Sequence, residues 1–287
     1  MIELRARQTR WAALVASIAL TIVLSGCLYV STERQINYGL NHYEMGLYDL
    51  AIPPLVTAAE SLEKGSPPDA RLVDVFLALG DMAVKKDRKD LATGFYARAL
   101  RASETLKPTD NKRLRNVLVN SGMFYTYNGR PKDALPLLQR AAAISRDLGE
   151  PILNAIDVDN IGAAYQELHQ YSEASQYSRR ALAIIQPVKT GRYLVRTNGV
   201  ILHNLAVSYV KLNRYGEAEP LFKQSLALLE STPTEVEPWR VRTVRKSYAD
   251  LLRRTGRINE ADEMERLSEP ASAVQQQPAP DAAAPRR

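Results

Sequence analysis

Cys27 is the only thiol among 287 residues, and His42, His169 and His203 are the only imidazoles, so covalent, acid–base and metal chemistry have few residues to draw on. No histidine has another histidine or cysteine three or four residues away, and no HExxH, CxxC, GxSxG or P-loop spacing occurs. Carboxylate pairs such as Asp157 with Asp159, or Glu217 with Glu219, sit two residues apart, which on a helix points them to different sides. They read as solvated faces. The chemistry that does repeat is a row of carboxamides: Asn37, Asn120, Asn160 and Asn204, with Ser247 in phase. A carboxamide donates and accepts at once, so it suits holding a peptide main chain. Bonding between neighbouring structural units, or no role at all, are the alternatives. Asparagine is a poor helix former, and its recurrence inside a helical pattern asks for a reason.

The elements that position these residues come from an internal repeat. Short turns such as Gly129-Arg130-Pro131-Lys132-Asp133 lead into marker residues Ala51, Leu91, Ala134, Ala174, Ala218 and Ala261, roughly 42 residues apart, a spacing that signals a repeat array. Twelve residues before the marker stand Gly39, Gly122, Gly162, Ala206 and Ala249, and nine before it Tyr125, Tyr165 and Tyr209. The second unit has Leu79 at the small-residue position, and a shift by one brings Gly80 into line. Helical spacing returns after the marker in Leu135-Leu138-Ala142, Tyr177-Ala181-Ile184 and Leu221-Phe222-Leu226-Leu229. Each unit is therefore a helix, a turn and a helix. Linkers fall where Pro and Gly cluster, at 65–68, 107–110, 149–151, 187–191 and 232–234.

This pattern resembles the tetratricopeptide repeat, and its long spacing is similar to the subclass typified by kinesin light chains. The resemblance spans 33–268 and implies an all-α fold, a right-handed solenoid of about six helical hairpins with a concave face. It also implies that the asparagine position on each first helix faces the groove. The expected groove is then Asn37, Asn120, Asn160 and Asn204, with Met123, Ala163 and Val207 three residues further on and Tyr127, Glu167 and Lys211 one turn beyond. Trp239 is expected to pack between the last two units. Residues 269–287, rich in Ala, Pro and Gln, cannot form a core and are expected to be disordered.

Cys27 belongs to a different pattern. Arg5, Arg7 and Arg10 precede an apolar run from Trp11 to Leu24, which is short for a bilayer span and suits an export signal. Leu24-Ser25-Gly26-Cys27 resembles the lipobox of bacterial lipoproteins. That resemblance implies a signal peptide over 1–26, an acylated Cys27 and a tether over 27–32. Several acyl chains anchor a protein durably without a transmembrane helix. Leu28 in place of Asp implies the outer membrane, facing the periplasm; an uncleaved inner-membrane helix is the alternative.

Composition narrows the function. The formal charge is +6 and falls to about +4 once residues 1–26 are set aside, too mild and too interleaved with acids for a nucleic-acid partner. With no disulfide possible within the chain, stability must come from an apolar core. The expectation is a non-enzymatic, lipid-anchored adaptor without cofactor or metal, binding a protein or peptide in its groove in support of envelope assembly. The alternative is a binder of cell-wall glycan or muropeptide, or an enzyme accessory factor, with Arg192, Arg196, Lys211 and Arg214 meeting carboxylates. Partner identity and oligomeric state are left open.

Overall fold

The computed structural model describes residues 31–65, 69–191, 193–231 and 238–269. The expected signal, Cys27 and the C-terminal tail lie outside the described residues. Among those described, twelve α-helices follow one another and no strand occurs: α1 (31–44), α2 (Tyr48–Glu63), α3 (Arg71–Lys85), α4 (Lys89–Thr105), α5 (Asn111–Tyr127), α6 (Pro131–Asp147), α7 (Pro151–Glu167), α8 (Tyr171–Ile185), α9 (Leu194–Lys211), α10 (Tyr215–Ser231), α11 (Pro238–Arg254) and α12 (Ile258–Arg266). The expected all-helical array of paired helices is what the chain forms. Helix already covers Ser31 and Thr32, and Thr32 is buried.

The hairpins share one turn. A left-handed residue closes every first helix: Gly46, Asp87, Gly129, His169, Asn213 and Gly256, with φ between 54 and 77. Glycine adopts this conformation freely and Asn, Asp and His tolerate it better than most. The next N–H then bonds back to the carbonyl five residues earlier in all six turns, for example Leu47 to His42 at 2.8 Å and Arg214 to Tyr209 at 2.9 Å. This is the Schellman closure, which satisfies carbonyls the helix end would leave open.

Five residues after each left-handed residue stands an alanine with no exposed surface: Ala51, Ala92, Ala134, Ala174, Ala218 and Ala261. The second unit is therefore corrected by one position. Ala92, not Leu91, is its marker, and Leu91 is 42% exposed. Gly80 becomes the small residue twelve before it, and an added Cβ there would come within 2.7 Å of the Tyr96 ring. At Gly39 a Cβ would meet the Leu55 side chain at 2.5 Å. The small residue sets how closely the two helices of a pair approach, which is why it recurs in register with the buried alanine.

The chain divides into two units, residues 1–124 and 125–287. In the N-terminal unit, Ile36, Leu55, Val73, Phe76, Leu79 and Met82 bury against one another, with Val117 of α5. In the C-terminal unit each helix packs on the next from α6 to α12, and the first helices also touch each other, α7 on α9 and α9 on α11. Its core runs through Leu205, Tyr209, Phe222, Leu229, Val244, Tyr248 and Leu252. Trp239 does not join it; contrary to expectation the residue is 49% exposed, with the Arg240 guanidinium 4.4 Å from the ring centre.

Candidate functional site

Counting back from the buried alanine places equivalent residues on each first helix. In the C-terminal unit, where α7, α9 and α11 lie side by side, the positions fifteen and fourteen before it are Asp159 and Asn160, His203 and Asn204, and Lys246 and Ser247. These two positions meet across neighbouring helices. Asn204 Nδ2 donates to Asp159 Oδ2 at 2.7 Å, and one repeat on, His203 Nε2 and Ser247 Oγ are 3.0 Å apart. Ser178 of α8 donates to the other Asp159 oxygen at 2.7 Å. Gln166 Nε2 adds a second strap to α9 through the Asn204 carbonyl, at 2.7 Å, and Ser208 Oγ, at 2.8 Å.

The solvated reading of the aspartate pair is thereby corrected: Asp157 is wholly buried and Asp159 is 4% exposed. A carboxylate loses hydration there, and burial pushes Asp159 up to about 6 against the opposing pull of its two hydrogen bonds. Burial drives His203 the other way, down to about 4. Glu219 is no open surface charge either. It accepts from Arg257 at 2.8 Å and from the Tyr248 hydroxyl at 2.9 Å and pairs with Lys223, and the Arg257 contact above all holds its carboxyl down at about 2.

The carboxamide row splits. Asn204 is committed to Asp159, whereas the side chains of Asn120 and Asn160 are half-buried and have no hydrogen-bond partner among the described residues. Asn37 is exposed on α1, and Asn37, Asn120 and the half-buried Met123 belong to the N-terminal unit. Tyr127 is 64% exposed. Its hydroxyl is nonetheless pushed up by lost hydration and by the carboxylates of Asp159 and Glu167, with Arg240 opposing.

Between α9 and α11 that face holds a cleft of about 320 Å³ lined by Val207, Val210, Lys211, Phe222, Lys246, Ser247 and Asp250. It unites two of the expected groove residues, Val207 and Lys211. Lys211 and Lys246 are exposed and form no ion pair among the described residues, while Asp250 is held by Arg254 at 2.9 Å. The basic patch expected for glycan binding is mostly consumed: Arg214 pairs with Glu217 at 2.6 Å, Arg196 stacks 4.5 Å over Tyr193, and Arg192 lies outside the described residues.

The N-terminal unit repeats the cleft between α1 and α3, also about 320 Å³, lined by Tyr43, Glu44, Tyr48, Asp81, Val84, Lys85 and Tyr96. Asp81 occupies the position that Asp250 holds in the other cleft; Tyr96 comes from α4, the partner of α3, where the last unit has Glu265, whereas Phe222 comes from α10, the partner of α9. Tyr43 donates to Asp81 Oδ2 at 2.9 Å and Tyr96 to Oδ1 at 2.6 Å. Burial, and then the Asp81 charge, push both phenols well above their ordinary range. Sequence reading missed Asp81, Tyr96, Asp159 and His203. The register of the buried alanine would have aligned them, once Ala92 replaced Leu91.

The histidines are separate: His42 bonds the Tyr38 carbonyl at 2.7 Å and His169 the Tyr171 hydroxyl at 2.9 Å. No group of three metal-ligating side chains occurs among the described residues.

The tetratricopeptide-repeat profile matches residues 113–186 and 153–231. No curated protein sequence matches the chain. Among solved structures, BtubC (BKLC) from P. vanneervenii is similar over 89% of this chain and 97% of its own, at 18% identity and a TM-score of 0.60. PilW, described as a widely conserved type IV pilus biogenesis factor, is similar over 82% and 91%, at 18% identity and 0.58. A Rap protein complexed with competence and sporulation factor is similar over 83% and 73%, at 15% identity and 0.54.

Proposed function

The chain is a tetratricopeptide-repeat protein, and on that premise we propose that it is a scaffold holding an extended segment of another protein against the first-helix face of its C-terminal unit. The observation that carries this reading is the unspent chemistry of that face. Asn160 has no hydrogen-bond partner and Lys211 and Lys246 no ion pair within the described residues, Tyr127 is exposed, and Val207 with Phe222 floors a cleft. Carboxamides there meet a peptide main chain, and the lysines select acidic or carboxylate groups. The Ser247 hydroxyl on the cleft wall is engaged by His203, 3.0 Å away, and burial lowers that imidazole to about 4, which makes it a weak base.

The reading extends to location: an acylated Cys27 moors the scaffold to the periplasmic side of the outer membrane, where it serves envelope assembly. The lipobox-like Leu24-Ser25-Gly26-Cys27 supports this, and helix is already present at residue 31, so an anchor at Cys27 keeps the repeats close to the lipid. No helix among the described residues is long and apolar enough to cross a membrane. The pilus biogenesis factor and the Rap complex support the reading at the level of fold.

A photo-crosslinker at position 207 in cells, followed by mass spectrometry, tests the groove: one protein segment crosslinked there and lost in Asn160→Ala supports it. Crosslinks scattered over unrelated proteins, unchanged by that substitution, overturn it. Acyl labelling tests the anchor, which fails if Cys27→Ala labels like the wild type.

A further inference from the structure

The cleft between α1 and α3 is built differently from a generic helix groove. Asp81 is half-buried, and each of its oxygens accepts a tyrosine hydroxyl, Tyr43 at 2.9 Å and Tyr96 at 2.6 Å. Two neutral donors fix the plane of a carboxylate without cancelling its charge. A carboxylate has about four lone-pair sites, so one acceptor site on each oxygen stays open.

Nearby cations are not spent on Asp81. Lys86 pairs with Asp49 at 2.6 Å, and Arg88 with Asp90 at 3.9 Å. Lys85 lies one turn along α3 at the cleft's edge and makes no ion pair with Asp81. Removing a carboxylate from water without a cationic partner is costly, so the site is held ready for a positive charge from outside. Glu44 stands exposed at the rim and adds a second negative charge.

The walls suit a cationic side chain with an apolar stem. Tyr43 and Tyr48 lie with ring centres 6.3 Å apart at 38°, and ring faces attract guanidinium and ammonium groups. Val84 offers a surface for methylenes. The volume, about 320 Å³, is at the small end of ligand clefts and fits one side chain better than a small molecule buried whole.

The equivalent cleft of the C-terminal unit shows that this chemistry is not a by-product of the fold. There Val210 stands in place of Tyr43 and Glu265, paired with Arg253, in place of Tyr96; Asp250 is already paired with Arg254, and Lys211 and Lys246 face the opening. We infer that the α1–α3 cleft is a docking site for an arginine side chain projecting from a partner protein, seated on the open side of Asp81 between Tyr43 and Tyr48. The planar guanidinium matches a carboxylate whose orientation is locked, and it stacks on aromatic faces as an ammonium does not.

This site stands apart from the groove of the C-terminal unit, and the two fail separately. The test uses the full chain, isotope-labelled, titrated with the probe acetyl-Gly-Ala-Arg-Ala-Gly-amide and with the same peptide carrying citrulline, which keeps the shape and loses the charge. Amide shifts around Tyr43 and Asp81 should report binding of the arginine probe about tenfold tighter than the citrulline probe. Asp81→Asn should remove that preference, and Glu44→Gln, on the exposed rim and harmless to folding, should weaken it severalfold. Equal binding of the two probes overturns the inference, as do shifts confined to α9 and α11, or a preference that survives both substitutions. If Asp81→Asn does not fold, Glu44→Gln decides alone. Asn160→Ala, which tests the groove, should leave the titration unchanged.

Discussion

The α1–α3 and α9–α11 clefts occupy the same register of the repeat yet present opposite chemistry. In one, Tyr43 and Tyr96 lock Asp81; in the other, Val210 and Glu265 stand at those two places, and Asp250 turns to Arg254. Two tyrosine hydroxyls thus separate a cleft with an uncompensated carboxylate from a cleft whose open charges are lysines. The repeat supplies the geometry, and a few side chains at fixed positions supply the selectivity.

The largest break in this comparison should come from the floors. Phe222→Ala empties a fully buried ring site and should cost about 3–5 kcal/mol in urea unfolding, whereas Tyr96→Phe keeps the ring, loses one hydrogen bond and should cost about 1–2 kcal/mol. Gly80→Ala comes next. Its Cβ would press on the Tyr96 ring at 2.7 Å, so a loss of about 1–3 kcal/mol is expected, together with weaker arginine-probe binding as the Asp81 clasp shifts. Ala249, the matching residue in the last unit, already carries its Cβ, and Ala249→Gly should cost about 1 kcal/mol.

The buried pair of the C-terminal unit sharpens the contrast through pH. Asp159, raised to about 6, contributes stability that grows as pH falls through 6 toward its ordinary value, because the folded state takes up the proton first. His203, lowered to about 4, contributes stability that is lost as pH falls from about 6.5 toward 4, because the unfolded chain takes up the proton first. In the wild type the two oppose each other over that window. Asp159→Asn should therefore steepen acid destabilisation by about 1–3 kcal/mol between pH 6.5 and 4, and His203→Gln should reverse the slope near pH 6, both read from urea midpoints against pH. The smallest expected effect separates the two carboxamides. Asn204→Ala removes a bond to a buried carboxylate and should cost about 1–2 kcal/mol. Asn160→Ala should move the urea midpoint by less than about 0.5 kcal/mol, with its effect confined to partner capture.

Much of the fold was legible because its rules are local. Gly39, Gly122, Gly162 and the buried alanines mark where two helices must touch, and each leaves its trace at a fixed sequence distance. The second unit misled by one residue because Leu91 imitates the marker, and only the left-handed Asp87 fixes the count at Ala92. Asp157 and Asp159 looked solvated because a spacing of two implies opposite sides of one helix, and a helix packed on both α8 and α9 has two buried sides. Trp239 looked buried by type alone.

By itself the amino-acid order determined the helix pairs, their turns and the register of the polar position on each first helix, since hydrogen bonding along a helix and steric approach within a hairpin act over a few residues. Tertiary structure alone decided which of those positions are spent. Asn204 and Asn160 are the same residue at the same register, but only Asn204 finds a carboxylate on the first helix of the preceding pair. Whether a polar group is a strut or a free contact depends on what stands about forty residues away in sequence and under 3 Å away in space, and that is set by packing between neighbours.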